Sequence, residues 1–402
     1  MDGRLQFVAM YLSHEWSMAA LCQHFAVSRR IGYKWIRRYL EGGPAGLVDQ
    51  SRAPHHHPHA VPVRVVEAVV ATRCDHPSWG PRKLQAFLER EFPRRHWPTT
   101  STIGEILRRR GLSAPRRRCR KTPPYTQPFT GCNGPNNVWS ADLKGWFTTG
   151  DGCRCDPLTI TDNYSRYLLR CQAVDPAAYE GIQPVFVAAF QEYGLPLAIR
   201  TDNGPPFATT TVGGLSRLSI WWIKLGIRPE RIEPGHPEQN GRHERMHRTL
   251  KHETATPPRE NGRRQQQAFD CFRREYNELR PHESLDYRTP ASLYVASPRP
   301  YPLVLPEMTY PEDMAVRWVK AQGDISWRNH HIYLSETLAG ELVGLRPVAD
   351  DRWDIYFGPV RLAQLDDRNQ RLIHLPRTHS RKKTGEQKHR TKQPKVLPMS
   401  PV

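Results

Sequence analysis

Val138-Trp-Ser-Ala-Asp-Leu-Lys-Gly-Trp-Phe147 is an apolar run with a carboxylate inside it, and Leu197-Ala-Ile-Arg-Thr-Asp-Asn-Gly-Pro-Pro-Phe207 is a second run that ends on another. Both read as strands, the first over 138–147 and the second over 197–201. A charge such as Asp142 inside an apolar strand is costly unless something pairs with it. Asp202 opens a turn that holds its carboxylate at the C-terminal rim of a sheet, where ligands gather in α/β proteins. Taken singly, Asp142 reads rather as a strand-edge aspartate paired with Lys144 or another base, and Asp-Asn-Gly is only a turn signal.

Working outward, Pro157–Asp162 and Arg166–Val174 read as further strands joined by the turn Asp162-Asn163-Tyr164-Ser165, and helices are expected over 176–193 and 212–225. Strands and helices in that alternation imply a mixed α/β or α+β core over 133–300. Beyond residue 311 the pattern turns to short β segments (315–319, 325–334, 341–347, 353–357 and 360–365), which predict a small β-barrel over 311–366. Residues 367–402 carry a dense run of Lys and Arg and are expected to form a basic disordered tail.

The N-terminal region reads differently. Ser17-Met-Ala-Ala-Leu-Cys-Gln-His-Phe-Ala-Val-Ser28 has the pattern of a capped helix, a tight turn and a second cap, which is helix-turn-helix spacing over 1–53. Ala20, Leu21, Val27, Ile31 and Trp35 supply an apolar face, and Gly42-Gly43 stops the last helix. Arg30, Tyr33, Lys34 and Arg37 fall at i, i+3, i+4 and i+7, one stripe suited to a major groove or simply to solvent. A Pro- and His-rich linker follows. Three short helical patterns (63–73, 81–90 and 102–110) then make a second bundle over 62–114, as consistent with a spacer as with a second DNA-binding domain. Arg116, Arg117 and Arg118 begin a basic, proline-bearing linker over 115–132 that can lie along phosphates. The whole is a multidomain α/β chain with N-terminal helix-turn-helix bundles.

Composition narrows the partner. Lys and Arg number 59 against 40 Asp and Glu, a net charge of +19, which calls for a polyanion. No apolar run is long enough to span a bilayer and no secretory signal is read, so double-stranded DNA is favoured over a membrane. Cysteines without a Cys-x-x-Cys pair suit a reducing cytosol. Cys153 with Cys155, and the His55, His56, His57, His59 run, lack structural zinc spacing and read as loop composition.

Moving a phosphodiester bond requires an activated oxygen and neutralised charge, which two Mg²⁺ ions held by carboxylates supply. A third acid is therefore sought. Glu238 follows Asp202 by 36 positions and Glu244 by 42. Glu238 sits in an approach loop, whereas Glu244 lies on a helix capped by Asn240. There Glu244, His247, Arg248 and Lys251 are expected to share one face, and Met246 and Leu250 another.

These contexts together resemble an insertion-sequence transposase of the retroviral-integrase superfamily. The matching pieces are Val-Trp-Ser-Ala-Asp142, Thr-Asp202-Asn-Gly-Pro-Pro-Phe, Pro-Glu-Gln-Asn-Gly-Arg-His-Glu244-Arg-Met-His-Arg-Thr-Leu-Lys, and Tyr276-Asn-Glu-Leu-Arg-Pro-His-Glu-Ser-Leu with Thr289-Pro-Ala-Ser. The resemblance is strong over roughly 130 to 295. It implies a ribonuclease H-like core with Asp142, Asp202 and Glu244 as catalytic and metal-binding triad, and Mg²⁺ as cofactor, with Mn²⁺ able to substitute. It further implies cleavage at transposon ends, joining of the freed 3′-hydroxyl to target DNA, and a homo-oligomer on DNA in a prokaryotic cytoplasm. His247, Arg248 and Lys251 would hold DNA near the centre. The common family spacing is met by Glu238, but the Asn-Gly-x-x-Glu-Arg context favours Glu244, with an insertion near Val212-Gly-Gly-Leu-Ser-Arg-Leu-Ser. The rival readings are a DNA-binding regulator, an inactive domesticated transposase, and a nuclease that cuts without joining.

Overall fold

The computed structural model describes residues 2–49, 60–113, 131–209, 211–232 and 241–374. Arg116, Arg117, Arg118, Glu238, Asn240 and residues 375–402 lie outside the described residues, as does most of the Pro- and His-rich stretch; the start of the tail expected over 367–402 is instead ordered, with Arg371–His374 forming a strand. The chain forms two compact units, residues 1–62 and 63–402.

In the first unit α1 (Asp2–Leu12), α2 (Met18–His24) and α3 (Arg29–Gly42) enclose a small core of Phe7, Leu21, Cys22 and Ile36. Ser17 accepts from the Ala20 amide and Ser28 from the Ile31 amide, so both expected caps form. Gly32 makes the tight packing possible. A Cβ there would lie 2.8 Å from Phe7 Cζ and 2.9 Å from Cys22 Sγ. The inward positions of α3 are consequently Gly32 and Ile36, and Ile31, expected inside, is 40% exposed. Arg30, Tyr33, Lys34 and Arg37 all face solvent.

The second unit opens with α4 (Val63–Asp75), α5 (Pro81–Glu91) and α6 (Thr100–Arg109), packed around a fully buried Trp79. This bundle rests on the core beyond it. Buried Arg280 donates to Glu253 at 2.9 Å, Ser78 donates to the same carboxylate, and His76 Nδ1 meets Glu275 at 2.8 Å.

A mixed sheet forms the centre. Strand β3 (Arg154–Asp162) pairs antiparallel with β1 (Val138–Leu143), β4 (Leu168–Val174) and, at its start, β2 (Phe147–Thr148). Strand β5 (Ala198–Thr201) joins β1 in parallel, and β6 (Arg228–Arg231) joins β5 in parallel. Helices cover both faces. Trp139, Leu158, Ile160 and Ile199 pack under α7 (Tyr179–Tyr193) and α8 (Arg217–Lys224). On the other face Cys155, Leu168 and Cys171 pack under α9 (Gly241–Thr254) and α10 (Gly262–Arg274). This is the expected ribonuclease H-like core.

Several local expectations are corrected. The run 138–147 is two strands, because Gly145 at φ +82° turns the chain after Leu143. Cys155 belongs to β3 and is buried. The helix expected from Val212 starts only at Arg217, since Gly213 and Gly214 adopt left-handed backbone that a helix cannot use.

That glycine arch is where the C-terminal segment docks. Val212, Leu215, Ile220 and Ile223 belong to one buried cluster with Val343, Leu345, Ile355 and Leu362, and Lys224 pairs with Glu341 at 2.9 Å. The segment is an open antiparallel sheet in the order β13 (Arg371–His374), β12 (Val360–Asp366), β11 (Arg352–Phe357), β10 (Leu342–Ala349), β7 (Ala315–Trp318). The stretch read as one strand over 325–334 is a separate hairpin, β8 (Asp324–Trp327) and β9 (His330–Tyr333), turned by Arg328 and Asn329 at positive φ. With that hairpin set apart, β7 and β13 remain edges, and the expected barrel does not close.

Phe190 anchors the core, fully buried with its ring centroid 5.4 Å from Trp221 and 5.8 Å from both Trp139 and Phe186. Replacing Phe190 by Ala should lower unfolding stability by about 3–5 kcal/mol, read by urea unfolding followed through tryptophan fluorescence. An unchanged midpoint would show that the aromatic cluster does not hold the sheet to α7 and α8.

Candidate active site

The parallel pairing of β1 with β5 sets the first two acids. Val138 lies opposite Ala198, Trp139 opposite Ile199 and Ser140 opposite Arg200. Asp142 follows the last residue of β1 paired with β5 by two positions and Asp202 stands just past the end of β5, so the two acids leave the same end of adjacent strands, close enough for their charges to interact. Asp142 lies on the face covered by α9, because Trp139 and Ala141 point to the other face and side chains alternate along a strand.

Electrostatics agree with the pairing. Burial raises the Asp202 carboxyl above its usual range, and the Asp142 charge raises it further. Among the described residues Asp202 Oδ1 is buried without a hydrogen-bond partner, which suits a group of opposite charge. Gly204 leaves room beside it, since a Cβ there would lie 3.1 Å from Asp202 Oδ2.

The backbone of Asp142 is held from the next strand. Thr159 donates its hydroxyl proton to the Asp142 carbonyl at 3.2 Å, while His243 Nε2 and His247 Nε2 approach the same oxygen at 3.0 and 2.7 Å. With its proton given to that carbonyl, the hydroxyl has two lone pairs left, so both imidazoles donate through Nε2–H. Burial pushes His247 down to about 2, with His243 and Lys144 adding to the effect, and burial pushes His243 down to about 4. Both rings are therefore neutral. The 3.8 Å approach of His247 Nδ1 to Asp142 Oδ2 is accordingly not an ion pair.

This corrects the sequence reading of α9. His247 was expected to face DNA beside Arg248 and Lys251, but it is 6% exposed and lies against Thr159 and the His243 ring. It cannot act as a phosphate-binding cation. Arg248 and Lys251 do remain exposed, as does Glu244, one turn before His247. Asp142 and Asp202 come together, whereas Glu244 stays on the outer flank. Among the described residues no three His, Cys, Asp or Glu side chains gather as a metal site.

Sequence reasoning passed over Thr159 and His243. The available signal was the i, i+4 spacing of His243 and His247, which puts both rings on one helix face. Asp162, where the expected strand meets its turn, is fully buried and accepts from the Asn136 amide at 2.9 Å and the Ser165 amide at 2.7 Å, bracing the end of β3.

Known proteins resemble the chain piece by piece. Residues 133–237 and 225–290 match the integrase core domain, 4–55 a helix-turn-helix domain, 31–107 a homeodomain-like domain, and 314–372 the IS481 family transposase C-terminal domain. The chain is 29% identical over 271 residues to the insertion element IS407 uncharacterized 31.7 kDa protein of Burkholderia multivorans, covering 63% of this chain and 87% of that protein. It is also 29% identical over 282 residues to the insertion element IS476 uncharacterized 39.2 kDa protein of Xanthomonas euvesicatoria, covering 66% and 76%. Among solved structures it resembles the HTLV-2 integrase catalytic core domain in complex with magnesium, at 16% identity and a TM-score of 0.32, over 40% of this chain and 99% of that one. A simian T-cell lymphotropic virus intasome in complex with a PP2A regulatory subunit aligns at 17% identity and a TM-score of 0.36, over 72% and 92%. Those structural scores are too low to bear on function. Helix-turn-helix, integrase-core and transposase C-terminal segments follow in that order on one chain, and with insertion-element relatives matched over most of their length they align this protein with insertion-sequence transposases that carry an integrase core.

Proposed function

We propose that the protein binds the ends of its insertion element, hydrolyses a phosphodiester there, and joins the freed 3′-hydroxyl to target DNA, with Asp142, Asp202 and Glu244 as the catalytic acids. The observation that carries this reading is the electrostatic coupling of Asp142 and Asp202 at the ends of adjacent strands, with Asp202 Oδ1 buried and without a hydrogen-bond partner among the described residues, in a chain of net charge +19. Like charges on adjacent strands disfavour each other's ionised form, and a cation reverses that.

The donor set suits a hard divalent cation, because carboxylate oxygens are the ligands such ions take. Asp142 and Asp202 would hold it, and Glu244 would complete the set by turning inward from the flank of α9. When bound, Mg²⁺ or Mn²⁺ supplies charge neutralisation at the attacking and leaving oxygens.

The chain's own residues do the rest. Thr159 fixes the Asp142 backbone, and the two neutral imidazoles fix Thr159. Arg248 and Lys251 grip phosphates flanking the scissile bond without reading sequence. Arg30, Tyr33, Lys34 and Arg37 present a stripe to the major groove for end recognition, and Arg116, Arg117 and Arg118 track the backbone between them. Two ends brought together for joining call for more than one copy of the chain on DNA.

Asp142→Asn and Asp202→Asn should each lower cleavage of a terminal-repeat duplex by roughly 100-fold or more while leaving DNA affinity within about twofold. Gel separation of cleaved and joined products reads the first, and filter binding the second. Parental activity in both variants would remove these carboxylates from the chemistry, whereas DNA binding without cleavage by the parent would leave a DNA-binding regulator.

The third acid is tested by Glu244→Gln against Glu238→Gln in the same assay. Cleavage is expected to be lost only in the former, and the opposite pattern would move the assignment to Glu238.

Thr159→Val keeps the side-chain volume but strands two buried imidazole N–H groups. It should cost about 1–3 kcal/mol in unfolding and reduce cleavage at unchanged DNA affinity. Parental stability and activity would show that the Thr159 hydroxyl does not hold the Asp142 strand.

A further inference from the structure

The turn that follows Asp142 carries a feature that the carboxylates do not use. Trp146 is 61% exposed, four residues beyond Asp142. It borders a slot of about 130 Å³ walled by Phe147, Pro157 and Leu250, with Lys144 and Lys251 at its edge. The slot is a fixed part of the fold. Gly145 at φ +82° makes the turn, the Lys144 amide donates to the Pro157 carbonyl at 2.9 Å, and Phe147 packs edge-on against Phe269.

Trp146 is also held in place. The Arg154 guanidinium lies 5.2 Å from its ring centroid, and Asp156 fixes that guanidinium at 2.6 Å. One large aromatic surface is thus presented to solvent in a set orientation, next to two lysines and near the paired aspartates. A tryptophan exposed in this way, rimmed by positive charge, has the make-up of a stacking platform for nucleic acid, because every base offers a π-face and every nucleotide a phosphate.

We infer that this slot takes one unpaired nucleobase of the DNA strand engaged at the carboxylates, stacked on Trp146 with its phosphates held by Lys144 and Lys251. The inference rests on the reading of Asp142 and Asp202 as the reacting centre. Four residues of chain reach at most about 14 Å, so the captured base belongs to a nucleotide close to the scissile bond. A base inside a duplex cannot reach such a slot, and capture therefore requires local opening of the DNA end.

The test uses the full chain and duplexes of the element's terminal sequence with 2-aminopurine at successive positions near the cleaved bond, in blunt and in forked form. One position should change in fluorescence on binding, and that change should disappear in Trp146→Ala and persist in Trp146→Phe. Cleavage by Trp146→Ala should fall about tenfold on blunt ends and recover on forked ends, where opening has already occurred. A position-specific signal that survives Trp146→Ala, or equal loss on blunt and forked ends, would overturn the proposal.

Repeating the fluorescence in Asp142→Asn separates the two readings. A Trp146-dependent signal together with parental cleavage in Asp142→Asn would sink the carboxylate assignment and keep the slot. Cleavage that needs Asp142 beside a signal indifferent to Trp146 would do the reverse.

Discussion

Two negative charges on neighbouring parallel strands are the constraint around which this molecule is arranged. The parallel pairing of β1 with β5 puts Asp142 and Asp202 at the same end of adjacent strands, and burial and mutual repulsion together raise the Asp202 carboxyl. Such a pair is unfavourable in isolation. It persists because the strands that carry it are fixed by their neighbours, and in the proposed function a cation and an anionic substrate meet it.

The neighbouring elements keep that pair in place. Thr159 on β3 ties the Asp142 carbonyl to two neutral, buried histidines of α9, so the helix that carries Glu244, Arg248 and Lys251 is keyed to the strand that carries Asp142. Asp202 is fixed from the other side. The segment after it runs through buried Phe207, whose carbonyl accepts from Ser216 and Ser219, into the glycine arch on which the C-terminal sheet packs. That docking gives the extra residues between Asp202 and Glu244 a structural purpose, since Val212 and Leu215 bury apolar surface that would otherwise face water.

Much of this was legible in the chain itself. Apolar runs ending in carboxylates gave β1, β5 and the two aspartates, and the serine caps gave α2 and α3, because both signals are local. The failures were tertiary. Ile31 has the helical spacing of a core residue, but Gly32 and Ile36 take the inward positions once α3 closes on Phe7. His247 looks like a phosphate ligand beside Arg248, yet its burial depends on Thr159, 88 positions earlier, which helix periodicity cannot report. The barrel failed for a similar reason, because the turn at Arg328 and Asn329 is hidden in a run whose composition reads as one strand. Glu244 was read from its motif context, and its position on the flank of α9 depends on how that helix seats its histidines.

The central claim is that Asp142 and Asp202 share a divalent cation at the DNA backbone. The most direct measurement is the position of Mn²⁺, by anomalous scattering, in crystals of the protein bound to its terminal DNA. The account predicts manganese within about 2.1 Å of carboxylate oxygens from both aspartates. Manganese bound elsewhere, with Asp142 and Asp202 left uncoordinated beside the DNA, would contradict it.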